Sequence, residues 1–262
     1  MLVHCASSRD GSALGGYLER LLHFDKTAAV RLVGVGPAAA AYSGPPFGGR
    51  PVLAVRLVAL QQNTEPFDVT VLAGKLLEGL SRDDIELLVP DTMVGGPSWA
   101  GLLPPRTGWT RLGLVSVRAL AAEAAQGNAD FRFRALGLDR AALDALGEEI
   151  WSRPVEASRG AGADRDTDAD SDADSAGTGT AAEATQTSAA PAVAVADTAP
   201  RVPQIPAQSG GSAPLALRSA HAAQALGFLG PDPERSEEWA PLARIGRWLR
   251  LDAPYGTVLQ RD

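Results

Sequence analysis

The sequence predicts an α+β fold in which a mostly antiparallel sheet is covered by helices. Three segments, residues 29–35, 50–62 and 67–72, alternate apolar and other side chains, as strands with one buried face do. Residues 12–24 carry leucines at helical spacing. A low-complexity stretch, residues 159–213, separates two ordered parts. Together these observations predict a sheet, a helix that covers it, and a linker.

The longest predicted strand is residues 50–62, RPVLAVRLVALQQ. Because successive side chains of a strand point to opposite faces, Leu53, Val55 and Leu57 share one face and Arg56 lies on the other. We expect the three predicted strands to stack as a meander. Their aliphatic residues then form one buried layer.

The opposite face of this predicted sheet carries Arg31, Arg56 and Asp68. The first helix is expected to cover the aliphatic face, with Asp10 or Ser12 capping its start by accepting hydrogen bonds from free amides. The sheet is therefore expected to have one buried and one open side.

Further elements are predicted along the first half of the chain. Residues 38–42 form a short strand, and residues 116–126 show a helical apolar stripe with Gly127 as a stop signal. Asp139 can cap one more helix. Residues 1–158 are therefore predicted to form an α+β domain.

The second half of the chain has a different character. Residues 159–213 are rich in aspartate, alanine and small polar residues, which predicts a disordered acidic linker. Residues 214–262 predict a helix followed by a β-hairpin, whose strands, 244–252 and 257–261, flank a Pro/Gly turn. Such a hairpin has too little core to be stable alone, so we expect it to dock on the first domain. No internal repeat is visible.

The net charge of −7 belongs almost wholly to the linker. Residues 1–160 carry 16 basic and 17 acidic residues, residues 161–211 carry 2 and 8, and residues 212–262 carry 6 and 6. Neither ordered part has the basic surplus of a non-specific nucleic-acid binder. Cys5 is the only cysteine, and no secretory signal or membrane-length apolar run is visible, so we expect a cytoplasmic protein away from membranes.

Three motif-like stretches lack the context that their chemistry needs. Residues 34–39 match a dinucleotide fingerprint, but no long helix follows to meet a pyrophosphate. Ser98 resembles a nucleophile elbow, but Ala100 stands where that motif needs glycine. Residues 172–183 approach a calcium loop without a side-chain ligand at position five. We therefore predict no catalytic residue, cofactor or metal site.

One loop has the composition of a recognition surface. Residues 95–109 hold two tryptophans beside prolines and an arginine, a stiff amphipathic set that recurs at binding sites. The candidate interaction residues are Trp99, Pro104, Pro105, Arg106 and Trp109. Two interpretations stay open: the indoles bind a partner, or they fill the open end of the sheet core.

The C-terminal helix and hairpin resemble part of a winged helix. The candidate wing carries Arg247, Trp248 and Arg250. Because residues 212–262 have no net charge, nucleic-acid binding is possible here but not favoured.

The segments GPSWAGLLPPRTGW (residues 96–109) and GRWLRLDAPYGTV (residues 246–258) resemble an uncharacterised protein family of GC-rich actinobacterial genomes. The resemblance implies that both segments belong to one functional unit. It transfers no activity and no functional residue.

Our leading hypothesis is a non-enzymatic interaction or adaptor protein that binds a protein partner or associates with itself. It depends on the missing catalytic motif, the linker and the Trp/Pro/Arg loop. A winged-helix-like, DNA-binding transcriptional regulator is the alternative. A third hypothesis is an enzyme with a dispersed site that includes Arg31, Arg56 and Asp68.

Overall fold

A computed structural model describes residues 1–47, 52–62, 64–90, 95–156 and 214–262. The strands are β1 Leu2–His4, β2 Ala29–Val35, β3 Ala38–Ser43, β4 Val52–Ala59, β5 Phe67–Leu72, β6 Glu86–Leu88, β7 Thr110–Ser116, β8 Trp239–Ile245, β9 Trp248–Ala253 and β10 Gly256–Arg261. The helices are α1 Ser8–Phe24, α2 Ala73–Glu78, α3 Val117–Arg134, α4 Arg140–Trp151 and α5 Leu217–Ala225.

Within the described residues, eight strands form one antiparallel sheet in the order β5-β2-β3-β4-β10-β9-β8-β7, and β1 pairs with β6. Two meanders, β2-β3-β4 and β8-β9-β10, meet at the centre of the sheet where β4 pairs with β10, and β5 and β7 form its edges. Helices precede each meander in the chain. The edge strands are connected differently, because β5 follows its meander in the chain and β7 precedes the other one. The predicted α+β class with a large antiparallel sheet is confirmed.

One face of the sheet packs against the helices and carries the main apolar core. The buried residues of this core come from all five helices, from β1 and β6, and from all eight strands of the central sheet. Examples from the sheet are Val30, Leu32, Val58, Leu251 and Val258. The predicted covering helix is present, and its cap is Ser7, whose side chain accepts a hydrogen bond from the Asp10 amide at 3.3 Å. The expectation that Asp10 or Ser12 caps the helix was wrong.

The two faces of β4 are the reverse of the prediction. Ala54 and Val58 belong to the main core, whereas Leu53 and Val55 are buried in a smaller apolar cluster on the opposite face. Leu57, predicted to be buried, is 64% exposed on that opposite face. Both faces of β4 are apolar because other side chains pack on both. The alternation alone therefore does not predict which face joins the main core.

The order of the first strands also differs from a simple meander. β5 pairs with β2, from Leu72 opposite Ala29 to Phe67 opposite Gly34, and lies at the sheet edge away from β4. This pairing places Asp68 beside Arg31, as the shared-face prediction requires, with an Nη2 to Oδ2 distance of 2.6 Å. Residues 67–72, predicted to be the third strand of a meander, therefore form an edge strand beside β2.

Helix α3 continues past the predicted stop at Gly127 to Arg134. A Cβ at Gly127 would stand 2.7 Å from the side chain of Leu217 and 3.1 Å from that of Trp151. The glycine therefore allows α5 and α4 to approach α3. The predicted cap of α4 is confirmed, since the Asp139 carboxylate accepts from the Ala142 amide at 2.8 Å.

The C-terminal segment contains three strands rather than one hairpin. A turn at Gly246, with φ of +52°, divides the predicted strand 244–252 into β8 and β9. The β9–β10 hairpin is present, but it lies inside the sheet between β8 and β4. The winged-helix expectation was wrong, because the two hairpin strands form the interior of an eight-stranded sheet.

Gln260 of β10 positions the start of α5. Its Oε1 accepts hydrogen bonds from the Ala216 amide at 2.8 Å and from Ser219 Oγ at 3.0 Å. The hydrogen bond from the Ala216 amide to Gln260 takes the place of the N-terminal side-chain cap that this helix lacks. The predicted linker, residues 159–213, lies outside the described residues. None of the helices in the described ranges is long and apolar enough to cross a membrane.

Candidate functional site

The face of the sheet opposite the helices carries the candidate site. Leu53 and Val55 of β4 and Leu259 of β10 are buried there. Partly buried side chains surround them: Ala40, Tyr42, Trp99, Leu103, Trp109 and Trp248. Trp99, Leu103 and Trp109 come from residues 95–109, so this loop covers part of the second face.

Arg31 attaches the loop to the sheet. Its guanidinium donates two hydrogen bonds to the Asp68 carboxylate, at 2.8 and 2.6 Å, and a third to the carbonyl of Ala100. Ala100 lies in the 3₁₀ turn Ser98–Gly101. The hydrogen bonds from Arg31 lower the pKa of Asp68, so the carboxylate remains charged at neutral pH. Arg31 and Asp68, which were predicted to lie on an open face of the sheet, therefore hold the loop against that face.

Trp99 packs closely against the backbone of the segment that follows β3. A Cβ at Gly44 would stand 2.7 Å from the Trp99 ring, so only glycine leaves room for the indole. The ring is partly buried in the second-face cluster. The Trp99 indole therefore packs against the Gly44 backbone and in this cluster.

Trp109 lies at the other end of the loop and is held from two sides. Its Nε1 donates to the carbonyl of Pro105 at 3.0 Å, and Cζ of Arg250 lies 5.6 Å from the ring centroid. Arg250 Nε also donates to Asp252 at 2.8 Å, and Thr257 Oγ1 donates to the same carboxylate oxygen at 2.7 Å. These contacts orient the indole and the guanidinium relative to each other.

A pocket of about 160 Å³ opens between this end of the loop and the sheet. Its lining consists of Tyr42, Val55, Leu57, Pro104, Pro105, Arg106, Trp109, Arg250, Thr257 and Leu259. Strand residues form an apolar floor, the prolines and the indole form one wall, and Arg106 and Arg250 supply positive charge. The pocket suits an apolar group that lies beside a carboxylate.

The structure brings most of the predicted interaction residues together with one residue of the predicted wing. Pro104, Pro105, Arg106 and Trp109 line the pocket with Arg250. Trp99 is outside the lining and packs in the adjoining cluster.

The other two candidate wing residues lie elsewhere. Trp248 belongs to the second-face cluster, where Cζ of Arg261 lies 5.8 Å from its ring centroid. Arg247 is exposed in the turn between β8 and β9, and it does not line the pocket. The two predicted surfaces therefore overlap only at Arg250.

Sequence reasoning missed five residues of the pocket lining: Tyr42, Val55, Leu57, Thr257 and Leu259. Val55 and Leu57 occur in an alternating strand pattern, which assigned both to the core, and Tyr42 was predicted only as part of a short strand. Thr257 had no distinguishing signal. The dispersed enzyme site that included Arg56 is not assembled on this face, because Arg56 lies on the helix side of β4 with Ala54 and Val58.

Comparisons with known proteins identify families without a described function. Residues 104–165 and 163–262 match the model described as Domain of unknown function (DUF8185), and residues 2–101 match Domain of unknown function (DUF8010). Both matches agree with the predicted resemblance to an uncharacterised family. No curated protein matches the sequence.

Two solved structures are similar to the whole chain. One is titled "Caulobacter crescentus pol III beta", with 11% identity and a TM-score of 0.42. The other is a DNA polymerase sliding clamp from Pseudomonas aeruginosa with ligand, with 10% identity and a TM-score of 0.43. The chain spans 65% and 63% of the length of these two solved chains.

Proposed function

We propose that this chain is a non-enzymatic cytoplasmic interaction module that binds a protein partner through the pocket on the sheet face opposite the helices. The chain belongs to the family described as Domain of unknown function (DUF8185). The observation that carries the proposal is the juxtaposition of Trp109, Arg106 and Arg250 around an apolar floor. The partner is an extended peptide segment that carries a small apolar or proline anchor next to an acidic residue.

The size of the pocket supports a peptide side chain as its occupant. Its volume of about 160 Å³ is below the roughly 300–1,000 Å³ of a typical small-molecule site. A single aliphatic or proline side chain is the appropriate scale. Leu57, 64% exposed at the floor, is the surface that such an anchor would cover.

The shape of the wall supports an extended partner backbone. Pro104, Pro105 and the Trp109 indole are stiff groups, and aromatic-lined grooves recognise extended, proline-containing segments. Stiff groups lose little conformational entropy on binding, so their contact area contributes more to affinity.

The charge of the rim supports an acidic residue beside the anchor. Arg106 is exposed, and Arg250 forms an ion pair with Asp252, with 2.8 Å between Nε and Oδ1. Two guanidinium groups and one carboxylate leave a net positive charge at the rim. A carboxylate of the partner would lie near Arg106. Guanidinium groups also give such contacts their geometric specificity, because they donate in a planar fork.

A random peptide library displayed on phage tests this proposal directly. We expect selection on the full chain to enrich peptides in which an aliphatic residue or proline neighbours Asp or Glu. Leu57→Ser should weaken the enriched peptides about tenfold or more, since burying a leucine contributes about 1.5–3 kcal/mol. Arg106→Gln should weaken those peptides that contain the acidic residue.

Matched controls come from exposed residues outside the pocket. Leu88 of β6 is 57% exposed, so Leu88→Ser makes the same chemical change elsewhere and should leave binding unaltered. Arg118→Gln on α3 serves the same purpose for Arg106. Peptides that bind wild type, Leu57→Ser and Leu88→Ser equally would refute the proposed pocket, as would a selection without a common motif.

A further inference from the structure

Arg56 occupies an unusual position on the helix-covered face of the sheet. It lies on β4 between Ala54 and Val58 in the alternation of that strand, and both neighbours belong to the main apolar core. Placing a guanidinium among such side chains is costly unless its charge and its donors are satisfied. The groups around Arg56 therefore show how far its charge and its donors are satisfied.

The described residues satisfy only part of Arg56. One terminal nitrogen, Nη1, donates to the carbonyl of Tyr255 in the β9–β10 turn. The Nε atom is buried and has no acceptor among the residues that the structure describes. Asp10 is close enough to favour the charged form of Arg56, but among the described residues its carboxylate accepts from Ser7 Oγ at 2.5 Å and forms no ion pair with Arg56.

A second guanidinium lines the same region. Arg20 projects from α1, and its Nη1 donates to the carbonyl of Gly16 at 3.1 Å. A Cβ at Gly227 would stand 2.9 Å from Cζ of Arg20, and Gly227 has a φ of +74°. Glycine at this turn therefore provides both the backbone conformation and the space that the guanidinium occupies.

Both arginines line one pocket of about 230 Å³ between α1 and the turn after α5. Ser12, Gly227, Pro231 and Tyr255 also line it. Burial lowers the pKa of Arg56; the negative charge of Asp10 opposes this shift, and the positive charge of Arg20 adds to it. Two like charges that share a partly enclosed space repel each other, and an anion between them would relieve that repulsion.

We propose that this pocket binds a small phosphate-class anion through Arg20 and Arg56. The two planar guanidinium groups supply donors for several oxygens of one phosphoryl group, and Ser12, whose hydroxyl donates to Asp84, borders the pocket. The pocket is smaller than a typical small-molecule site, so the ligand is free phosphate, pyrophosphate or a small molecule with one phosphoryl group. The site lies on the opposite face from the proposed peptide pocket, and neither proposal depends on the other.

Isothermal titration calorimetry of the full chain with inorganic phosphate and with pyrophosphate tests this site. Sodium acetate at equal ionic strength is the third arm, because it separates phosphate recognition from a general response to anions. We expect binding of phosphate or pyrophosphate with a stoichiometry of one and no comparable binding of acetate. Arg20→Gln and Arg56→Gln should each weaken the affinity about tenfold or more.

Two comparisons keep the result interpretable. Arg118→Gln removes an exposed arginine outside the pocket and should bind the anion as wild type does. Arg20 is also exposed, so Arg20→Gln tests the site without altering the core. Absence of phosphate and pyrophosphate binding, equal binding of acetate, or equal losses in Arg20→Gln and Arg118→Gln would overturn the proposal.

Discussion

His221 makes the stability of the protein dependent on pH in a defined window. Its ring stacks on Trp151, with centroids 4.4 Å apart, and meets Phe47 edge-on at 4.8 Å. Nδ1 is buried without a hydrogen-bond partner in the described part of the chain. Burial lowers the pKa of His221 from 6.5 to about 4, so the native protein holds a neutral ring at neutral pH.

The sign and size of the effect follow from the two pKa values. Between about pH 6.5 and about pH 4 the unfolded chain binds a proton at His221, while the native protein does not. The free energy of unfolding therefore falls as the pH is lowered through this window. Each pKa unit corresponds to 1.36 kcal/mol, so the loss approaches about 3 kcal/mol at pH 4.

Urea unfolding at several pH values, on wild type and His221→Phe, measures this contribution. Phenylalanine keeps an aromatic ring between Trp151 and Phe47 and cannot be protonated. We expect the stability difference between the two proteins to shift by about 3 kcal/mol in favour of His221→Phe as the pH falls from about 7 to about 4. Carboxylates such as Glu149 titrate in both proteins and cancel. Parallel pH profiles would refute the argument.

Two further predictions concern packing around α5. Gln260→Ala removes the acceptor of the buried Ala216 amide and should cost about 1–3 kcal/mol in urea unfolding; a change below about 0.5 kcal/mol would contradict its capping role. Gly127→Ala places a Cβ 2.7 Å from the Leu217 side chain and should lower the free energy of unfolding by about 1–3 kcal/mol. At Gly147 the nearest atom to an added Cβ is 3.7 Å away, so Gly147→Ala should raise the free energy of unfolding by about 0.5–1 kcal/mol. Equal effects of the two changes would contradict this packing role of Gly127.

Local patterns predicted the strands well where one face clearly dominates. The bounds of β2 and β5 agree with the alternating segments, since Val30, Leu32 and Val71 face the main core and Arg31 and Asp68 face away. The pattern of β4 was ambiguous in principle. Both of its faces are apolar, and the choice between them depends on which side the helices cover.

Long-range pairing was outside the reach of local reasoning. β10 pairs with β4 across nearly the whole chain, with Leu259 opposite Leu53, and no local signal specifies that partner. The same applies to the edge position of β5. A C-terminal hairpin read in isolation therefore resembled a wing, although its strands complete the centre of a sheet.

The candidate site was predicted in composition but not in assembly. The unusual residues of the 95–109 loop indicated a surface around Trp109 and Arg106. That Arg250 meets Trp109, which directly precedes β7, depends on the register of β7, β8 and β9, which only the assembled sheet fixes. Leu57 was hidden because its pattern is equally typical of a core residue.

Nuclear magnetic resonance with labelled methyl groups, during titration of a library-selected peptide, tests the binding site most directly. We expect the methyl signals of Leu57, Val55 and Leu259 to move together and saturate with the peptide, while those of Leu88 stay in place. Saturable movement centred on any other surface, with Leu57 unaffected, would contradict the proposed pocket.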